Sequence, residues 1–488
     1  MNVNHNQDST GNSALRKNPA RMNRRDFLRS SAAAGASLVL TPVVFGQGGP
    51  AQADDINVAL LGAGAQGQTL LECCLKIPQV RFQAVCDIWT DYNLKIATRR
   101  LNGRPEYQDN PVNGYEDYRE MLDKEKDLDA IIIATPDFWH AEQAVTCLNA
   151  GLHVYCEKEM SNTLEGAKKM VEAARATGKL LQIGHQRRSN PRYIFCYEKI
   201  IKEAKLPHRI TTVNGQWNRS KAACEDLGWP KKYVIEDATL NKYGFESMQK
   251  YRNWRWYKGL GGGPMVDLGS HQIDIYSWFL EANPKSVIAS GGIDYWKNHD
   301  WYDNVMVIYE YETADGPVRA FYQTGTTSSA QGYFESFMGD EGTLVISEAA
   351  GRGQVYREAW MDLQNVNPWN KWVDKGYITK YVHKYFQQCE EQFNKCMEEA
   401  RKKLEAEIGA EEVDVRESPK PPKFELAVTL NKPPHQPHLE NFFDAVRGRA
   451  KLSCPAEVGY ETAVTVLKVN EAVAAAKRLE FKPEDFKV

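Results

Sequence analysis

Short apolar runs alternate with stretches of helical spacing along the chain from Ile56 onward. The runs INVALLGAG, VRFQAVCDI, DAIIIATP, HVYCEKE and LLQIGHQ read as buried strands, and each is followed by a helical or turn-forming stretch. Strand and helix repeated in units of this length predict a parallel sheet with helices on both faces. This pattern ends near Gln186.

Beyond Gln186 the pattern becomes that of an antiparallel sheet. RITTVNGQWNR, SVIASGGIDYW, NVMVIYEYE, VRAFYQTGTT and TLVISE alternate with turns rich in Gly, Asp and Asn and with few helices. We therefore predict an α/β plus α+β protein with a dinucleotide-binding Rossmann domain at 54–186. A second domain at 187–488 carries a mostly antiparallel open sheet, inserted segments at 220–257 and 375–425, and closing C-terminal helices.

The first 53 residues have the pattern of an export signal. Arg24 and Arg25 precede a weakly apolar run, and Ala51-Gln52-Ala53 supplies a small-x-small cleavage site. We expect a twin-arginine signal peptide cleaved after Ala53, a periplasmic or otherwise exported protein, and contact with the twin-arginine export machinery. The alternative is a basic N-terminal helix or an uncleaved anchor. No later segment has the apolar length that spans a bilayer, so no stable membrane insertion is expected.

Composition excludes several classes of function. The formal net charge of −3 over 488 residues provides no basic surface for nucleic acid. The ten cysteines have irregular spacings, so neither a disulfide framework nor a metal site is expected. The 12 tryptophans, several between Trp217 and Trp301, are core residues by default, although carbohydrate-handling proteins also use indoles as flat apolar platforms.

The motif GAGAQG follows the first strand and opens a helix, which is the setting of a dinucleotide-binding loop. The predicted cofactor-binding residues of this loop are Gly62, Gly64, Ala65, Gln66 and Gly67. Asp87 ends the second strand, where a carboxylate accepts hydrogen bonds from the adenosine ribose and would repel a 2′-phosphate. We therefore predict tightly bound NAD rather than NADP.

Candidate catalytic groups come from both predicted domains. Lys158, in YCEKEM, lies at the carboxyl edge of the parallel sheet, where such folds bind ligands. Asp267 and His271, in GGGPMVDLGSHQID, are four residues apart and share one helix face. Carbinol oxidation needs a base, a positive charge for the developing alkoxide, and orientation. Asp267 would orient the imidazole, and either His271 or Lys158 would be the base. The plain alternative is a packed helix start behind a glycine turn.

GAGAQG, ATPDFWH, an EK dipeptide and GGGPMVDLGSHQID, in this order, resemble the glucose-fructose oxidoreductase/inositol dehydrogenase/MocA (Gfo/Idh/MocA) family over most of the chain from Ile56. The resemblance implies NAD(P)-dependent chemistry on sugars and polyols, dimers or tetramers through the β-sheet, and catalytic positions at Lys158, Asp267 and His271. It also implies that four residues line the nicotinamide half of the cleft: Thr135, Pro136, His140 and Glu157. Glu159 departs from the family pattern, which has proline there, and favours His271 as the base.

Further residues near the predicted cleft are candidates for contact. Gln186 and Arg187 lie near the domain junction and are expected at the nicotinamide end, with solvated side chains as the alternative. Substrate contacts are expected from NWRWYKG and the helix after it, with core aromatics as the alternative. The candidate substrate residues are Trp254, Arg255, Tyr257 and Asp274.

These features predict an exported NAD-dependent oxidoreductase that acts on a sugar, polyol or glycoside, with a homodimer or homotetramer as its assembly. Folding before export would trap the cofactor inside. A glycosidase or lyase that uses transient oxidation and elimination, with no net redox change, is the alternative. A third possibility is a protein that binds NAD but has no enzymatic activity. The presence of Lys158, Asp267 and His271 together argues against it.

Overall fold

The computed structural model describes residues 55–349, 351–362, 367–380, 402–403, 418 and 421–488. The predicted leader at 1–53 and most of the predicted insertion at 375–425 lie outside the described residues. Among the described residues, no helix has the length and apolar character needed to cross a membrane.

The first sheet has six parallel strands in the order β3-β2-β1-β4-β5-β6. Its strands are β1 (Ile56–Leu61), β2 (Val80–Cys86), β3 (Asn113–Tyr115), β4 (Ala130–Ile133), β5 (His153–Cys156) and β6 (Leu181–Ile183). Its helices are α1 (Ala65–Cys74), α2 (Lys95–Asn102), α3 (Tyr118–Lys124), α4 (Asp137–Asn149) and α5 (Leu164–Thr177). The predicted Rossmann fold is confirmed, and the short strand β3 was not predicted because its sequence NGY is polar.

The second sheet has ten strands in the order β14-β15-β13-β12-β11-β7-β10-β9-β8-β16. Among the strands of the described residues, the β7–β10 pair is parallel and the other pairs are antiparallel. The strands are β7 (Ile210–Asn218), β8 (Pro284–Gly292), β9 (Asn304–Thr313), β10 (Gly316–Gly325), β11 (Tyr333–Gly339), β12 (Gly342–Ile346), β13 (Gly353–Arg357), β14 (Ile378–Lys380), β15 (Lys423–Leu426) and β16 (Leu479–Glu480). The predicted, mostly antiparallel C-terminal sheet is confirmed.

One face of the second sheet packs against helices. Along β10, Val318, Ala320 and Tyr322 are buried, while the residues between them are more exposed. The remaining helices are α6 (Pro191–Phe195), α7 (Lys221–Cys224), α8 (Asp237–Lys242), α9 (Met248–Arg252), α10 (Ser270–Leu280), α11 (Asn370–Asp374), α12 (Gln436–Val446) and α13 (Ala456–Ala475). α12 buries Leu439, Phe442 and Phe443 in the same apolar cluster as Leu70 and Leu71 of α1.

The helix predicted to carry Asp267 and His271 has two parts. Met265–Gly269 is a π-helical turn, and α10 begins only at Ser270. A π-turn has i→i+5 hydrogen bonds and more residues per turn than an α-helix. Asp267 therefore lies in the π-turn and His271 in the first turn of α10.

The predicted insertion at 220–257 covers the first sheet near the end of β2. Leu240, Tyr243, Phe245 and Met248 form an apolar cluster with Trp89 of the Rossmann half. The Trp89 indole N–H donates to the Tyr233 carbonyl oxygen at 3.0 Å. This segment therefore joins the C-terminal half to the predicted cofactor-binding edge.

Candidate active site

The glycine loop between β1 and α1 depends on the absence of side chains at Gly62, Gly64 and Gly67. Gly62 has a φ of +89°, and a Cβ there would lie 2.7 Å from the Ala134 carbonyl carbon. A Cβ on Gly67 would lie 1.9 Å from the Gly62 oxygen, so the helix can approach the strand only with glycine. A Cβ on Gly64 would meet only the Asn93 amide, at 3.9 Å. The space at Gly64 lies at the N-terminus of α1, and this fits the pyrophosphate of a dinucleotide.

Asp87 is held at the end of β2 by three hydrogen bonds. Its carboxylate accepts from the Ala63 amide at 2.7 Å, the Trp89 amide at 2.8 Å and the Asn93 side chain at 3.3 Å. Burial raises the pKa of Asp87 to about 6, although these bonds favour the ionised form. The carboxylate is thus fixed at the edge of the cavity, where an adenosine ribose would be bound.

One cavity of about 540 Å³ connects this loop with the C-terminal half. Residues from both sheets line it, so the cavity lies where a doubly wound fold binds ligands. The predicted site residues that line it are Gly62, Gly64, Ala65, Gln66, Asp87, Thr135, Pro136, Glu157, Lys158, Gln186, Trp254, Arg255, Asp267 and His271.

Gln66 and Glu157 connect the glycine loop to the end of β5. The Gln66 amide donates to a Glu157 carboxylate oxygen at 3.1 Å, and the Tyr155 hydroxyl donates to the same oxygen at 3.2 Å. His435, from the loop before α12, lies 3.4 Å from the Gln66 amide and also lines the cavity. These contacts fix the wall between the two ends of the cavity.

Lys158 and Asp267 are in contact although they are 109 positions apart. The Lys158 ammonium donates to the Asp267 carbonyl oxygen and lies 3.4 Å from its carboxylate. The Arg255 guanidinium donates to the same carboxylate oxygen at 3.2 Å. Burial alone would favour the neutral acid, but the positive charges of Lys158, Arg255 and Arg219 hold the pKa of Asp267 well below its usual value. Asp267 is therefore an ionised anchor for two cations.

His271 lies beside the Lys158 and Asp267 contact but is not bonded to Asp267. Its ring lies 5.4 Å from the Trp217 ring and 6.4 Å from the His185 ring, between centroids. Its Nδ1 is buried and has no hydrogen-bond partner among the described residues. Burial and the neighbouring positive charges lower the pKa of His271 well below its usual value, so the ring is neutral.

Among the hydrogen bonds of the described residues there is none between Asp267 and His271, so the orienting role predicted for Asp267 stays a prediction. Asp267 turns instead toward Lys158 and Arg255.

Besides Gly67, which lies against the Gly62 oxygen, four predicted contact residues lie away from the cavity surface. His140 is buried, with its ring nitrogens 2.7 Å from the Glu159 and Thr135 carbonyl oxygens. The Arg187 guanidinium is buried against the carboxylates of Glu335 and Glu348. Because these side chains are buried and bonded to protein partners, they support the site from behind.

The other two are Tyr257 and Asp274. Tyr257 packs in an apolar cluster with Cys224 and Trp256. Asp274 is 1% exposed and accepts two bonds from Arg188, at 2.8 and 3.0 Å, and one from Thr462 at 3.2 Å. A buried carboxylate requires such compensation, and this pairing takes Asp274 away from the cavity.

Glu159, which stands where the family pattern has proline, has its side chain in the protein interior. Its carboxyl is buried, accepts from the Met160 amide at 3.0 Å and lies 4.0 Å from the His185 ring. Burial raises the pKa of Glu159 to about 8. The side chain therefore belongs to the protein interior behind the cavity.

Sequence reasoning missed several residues that line the cavity. Asp137, the first residue of α4, is 3% exposed, and burial raises its pKa to about 7. Its position in the sequence, directly after Pro136 at the sheet edge, could have indicated that Asp137 lines the cavity. Trp217 and Arg219, at the end of β7, and Asn93 and Tyr251, near Asp87, also line the cavity, and no local motif marked them.

Two family models match the chain. Residues 56–185 match the model described as "Oxidoreductase family, NAD-binding Rossmann fold", and residues 237–345 match the "GFO/IDH/MocA C-terminal domain". The chain therefore belongs to the Gfo/Idh/MocA oxidoreductase family and carries its NAD-binding Rossmann domain.

Named relatives match parts of the chain. A 4-carboxy-2-hydroxymuconate-6-semialdehyde dehydrogenase of Sphingobium sp. is 30% identical over 30% of this chain and 43% of its own length. An inositol 2-dehydrogenase of Rubrobacter xylanophilus is 24% identical over 61% of this chain and 72% of its own length. A glycosyl hydrolase family 109 protein of Saccharopolyspora erythraea is 29% identical over 33% of this chain and 38% of its own length.

A solved structure of similar fold is the WlbA dehydrogenase of Bordetella pertussis in complex with NADH and UDP-GlcNAcA. It is 16% identical, covers 88% of this chain and 99% of its own length, and has a TM-score of 0.57. At this identity the likeness shows the shared fold.

Proposed function

We propose that this protein is an NAD-dependent oxidoreductase acting on a CH–OH group of a sugar, polyol or glycoside. One observation carries the proposal: Lys158 from the Rossmann sheet edge meets Asp267, beside His271, in the same cavity that the glycine loop opens. The relative named an inositol 2-dehydrogenase supports the substrate class. Bound NAD would supply the hydride acceptor.

The chain's own groups have separate tasks in this proposal. The Lys158 ammonium, fixed by Asp267, stabilises negative charge on the substrate oxygen. The neutral His271 imidazole accepts the hydroxyl proton. Its ring lines the cavity, and burial together with the nearby positive charges lowers its pKa, so the ring is unprotonated before the reaction. Lys158 is the alternative base. Asp267 is a positioning residue that holds Lys158 and Arg255.

Asp87 supports a preference for NAD over NADP. Its carboxylate is fixed at the cavity edge by the Ala63 and Trp89 amides. A ribose diol can donate hydrogen bonds to it, whereas a 2′-phosphate would be repelled. We further propose that the cofactor is tightly held, because the 220–257 segment packs over this end through the cluster with Trp89.

Export and assembly are also part of the proposal. The paired arginines and the Ala51-Gln52-Ala53 site support a twin-arginine leader at 1–53, and thus a periplasmic or otherwise exported enzyme. A homodimer or homotetramer through the second sheet is supported by the exposed Ile288, Met306 and Ile308 on β8 and β9.

The direct test uses purified full-length protein. The supernatant of denatured protein should contain NAD, and addition of a substrate sugar or polyol to native protein should raise the absorbance of reduced nicotinamide. The absence of NAD would contradict tight binding. The absence of reduction with sugars, polyols and glycosides would contradict the oxidoreductase function.

A glycosidase or lyase without net redox change is the second candidate, and the glycosyl hydrolase family 109 relative supports it. The same incubation separates the two functions. Release of aglycone from a glycoside without added NAD and without accumulating reduced nicotinamide would favour cleavage. Sugar-dependent reduction without aglycone release would favour the dehydrogenase.

A further inference from the structure

The end of the cavity that holds Lys158 and Asp267 carries more positive than negative charge. Lys158, Arg219 and Arg255 all line it and all act on Asp267, which is one ionised carboxylate. Asp137 and Glu157 are further buried carboxyls that line the cavity. Burial raises the pKa of Asp137 to about 7, so it is at most partly ionised at neutral pH, and Glu157 accepts hydrogen bonds from Gln66 and Tyr155 on the side of the glycine loop. Glu225 at the rim is exposed and lies 3.7 Å from the Lys221 ammonium.

Arg219 is available to a ligand. It directly follows β7, it is partly buried, and its guanidinium lies over the Trp217 ring at 5.5 Å. Among the described residues it makes that ring contact, and its guanidinium has no carboxylate or carbonyl partner. A guanidinium presents a planar fork of donors that matches a carboxylate.

The Arg255 guanidinium also lies over an indole ring and lines the cavity. Its Nε donates to Asp267 at 3.2 Å, and its guanidinium lies over the Trp254 ring at 4.2 Å. Its side chain remains 39% exposed. Two indole-supported guanidinium groups therefore face the same end of the cavity.

The position of these arginines separates them from the phosphate-binding loop. Arg219 stacks on Trp217, the ring that lies 5.4 Å from His271, and both arginines act on Asp267. The glycine loop, where a pyrophosphate fits, lies in front of α1. The charge surplus thus lies where the reacting part of the substrate would be bound.

We propose that the substrate is an acidic sugar, whose carboxylate is bound by Arg219 and Arg255 while its carbinol faces Lys158 and His271. This inference rests on the proposed function for the placement of the carbinol. The substrate class is then a uronic acid, a glycuronide or an aldonic acid. The Trp217 and Trp254 indoles hold the two arginines in position and shield the ion pairs from water.

The test compares methyl β-D-glucuronide with methyl β-D-glucoside on the NAD-loaded protein. We expect kcat/KM to favour the glucuronide at least tenfold, and added salt to reduce that preference. Arg219→Gln should lower the preference by about ten- to a hundredfold, because a charge-assisted hydrogen bond is lost. Arg219→Lys should have an intermediate effect.

The matched control is Arg319→Gln. Arg319 is on β10, is 68% exposed and pairs with Glu310 at 3.4 Å, away from the cavity. This variant should keep the preference of the native protein. Melting temperatures without ligand show whether each variant folds, and Arg255→Gln replaces Arg219→Gln if the latter does not fold.

A binding measurement separates this inference from the proposed function. D-Glucuronate should raise the melting temperature of the native protein more than D-glucose does, and this difference should shrink in Arg219→Gln. Stabilisation without turnover of any sugar would contradict the oxidoreductase function and support the acid site. Equal or better turnover of the glucoside would overturn the acid site alone. Stronger binding of glucose 6-phosphate than of glucuronate would overturn the carboxylate assignment.

Discussion

The two ends of the cavity are built in different ways. At the glycine loop, the shape comes from backbone atoms of six consecutive residues, 62–67, and from the absence of Cβ atoms. At the catalytic end, the shape comes from side chains of segments far apart in sequence: Lys158, Trp217 with Arg219, Arg255, and Asp267 with His271.

This difference in construction determines which substitutions each end of the cavity tolerates. A backbone site depends on glycine at fixed positions but hardly on the surrounding charges. A site made of charged side chains depends on the pairing of opposite charges, because the Asp267 carboxylate pairs with both Lys158 and Arg255. Removal of one charge there leaves the others partly unpaired in a poorly hydrated place. The following substitutions test this comparison.

The largest expected effect is at Lys158. Lys158→Ala removes the positive charge at the substrate oxygen and should lower kcat by about a thousandfold or more while NAD remains bound. Single-turnover reduction and the NAD content of the denatured supernatant measure the two quantities. Lys169→Ala is the control, because Lys169 is exposed and pairs only with Glu165. Near-native turnover of Lys158→Ala would remove Lys158 from the catalytic set.

A pair of glycine variants should separate folding from binding. Gly67→Ala places a Cβ 1.9 Å from the Gly62 oxygen, so α1 must shift and the protein should lose at least roughly 1–3 kcal/mol of stability. Gly64→Ala meets no atom closer than 3.9 Å and should fold normally but retain less NAD. Thermal unfolding and released NAD are the two measurements. Normal stability of Gly67→Ala would contradict the close helix–strand contact.

Asp137 should make binding of an acidic ligand depend on pH. Its pKa of about 7 means that it ionises as pH rises from 6 to 8, which reduces the positive surplus near Lys158. D-Glucuronate should therefore bind several-fold more weakly at pH 8 than at pH 6. Asp137→Asn stays neutral, and calorimetric titration should show a flatter dependence. An unchanged slope in the variant would exclude Asp137 as the source.

The smallest expected effect is at Glu159. Its pKa is raised from 4.5 to about 8 in the folded protein. The neutral acid is therefore favoured in the fold, and its stabilising contribution is lost as pH rises through this window. Glu159→Gln should reduce the fall in melting temperature between pH 5 and 8 by roughly 2–4 °C. Glu165→Gln, at an exposed position, should leave that fall as it is.

The amino-acid sequence was sufficient to predict the parallel sheet, its glycine loop and the change to an antiparallel sheet after Gln186. These features are readable because strand alternation and glycine spacing are local patterns. It also supplied Lys158, Asp267 and His271 as candidates, since each stands next to a recognisable motif.

The contacts between these candidate residues depend on how the two sheets and their helices pack. Asp267 pairs with Lys158 and Arg255, and Asp274 pairs with Arg188 in the protein interior. Trp217, Arg219 and Asp137 reach the cavity through the docking of one sheet against the other. Contacts between segments 50 to 110 residues apart, such as Lys158 with Asp267, depend on the packing of whole elements. No short stretch of sequence encodes that packing.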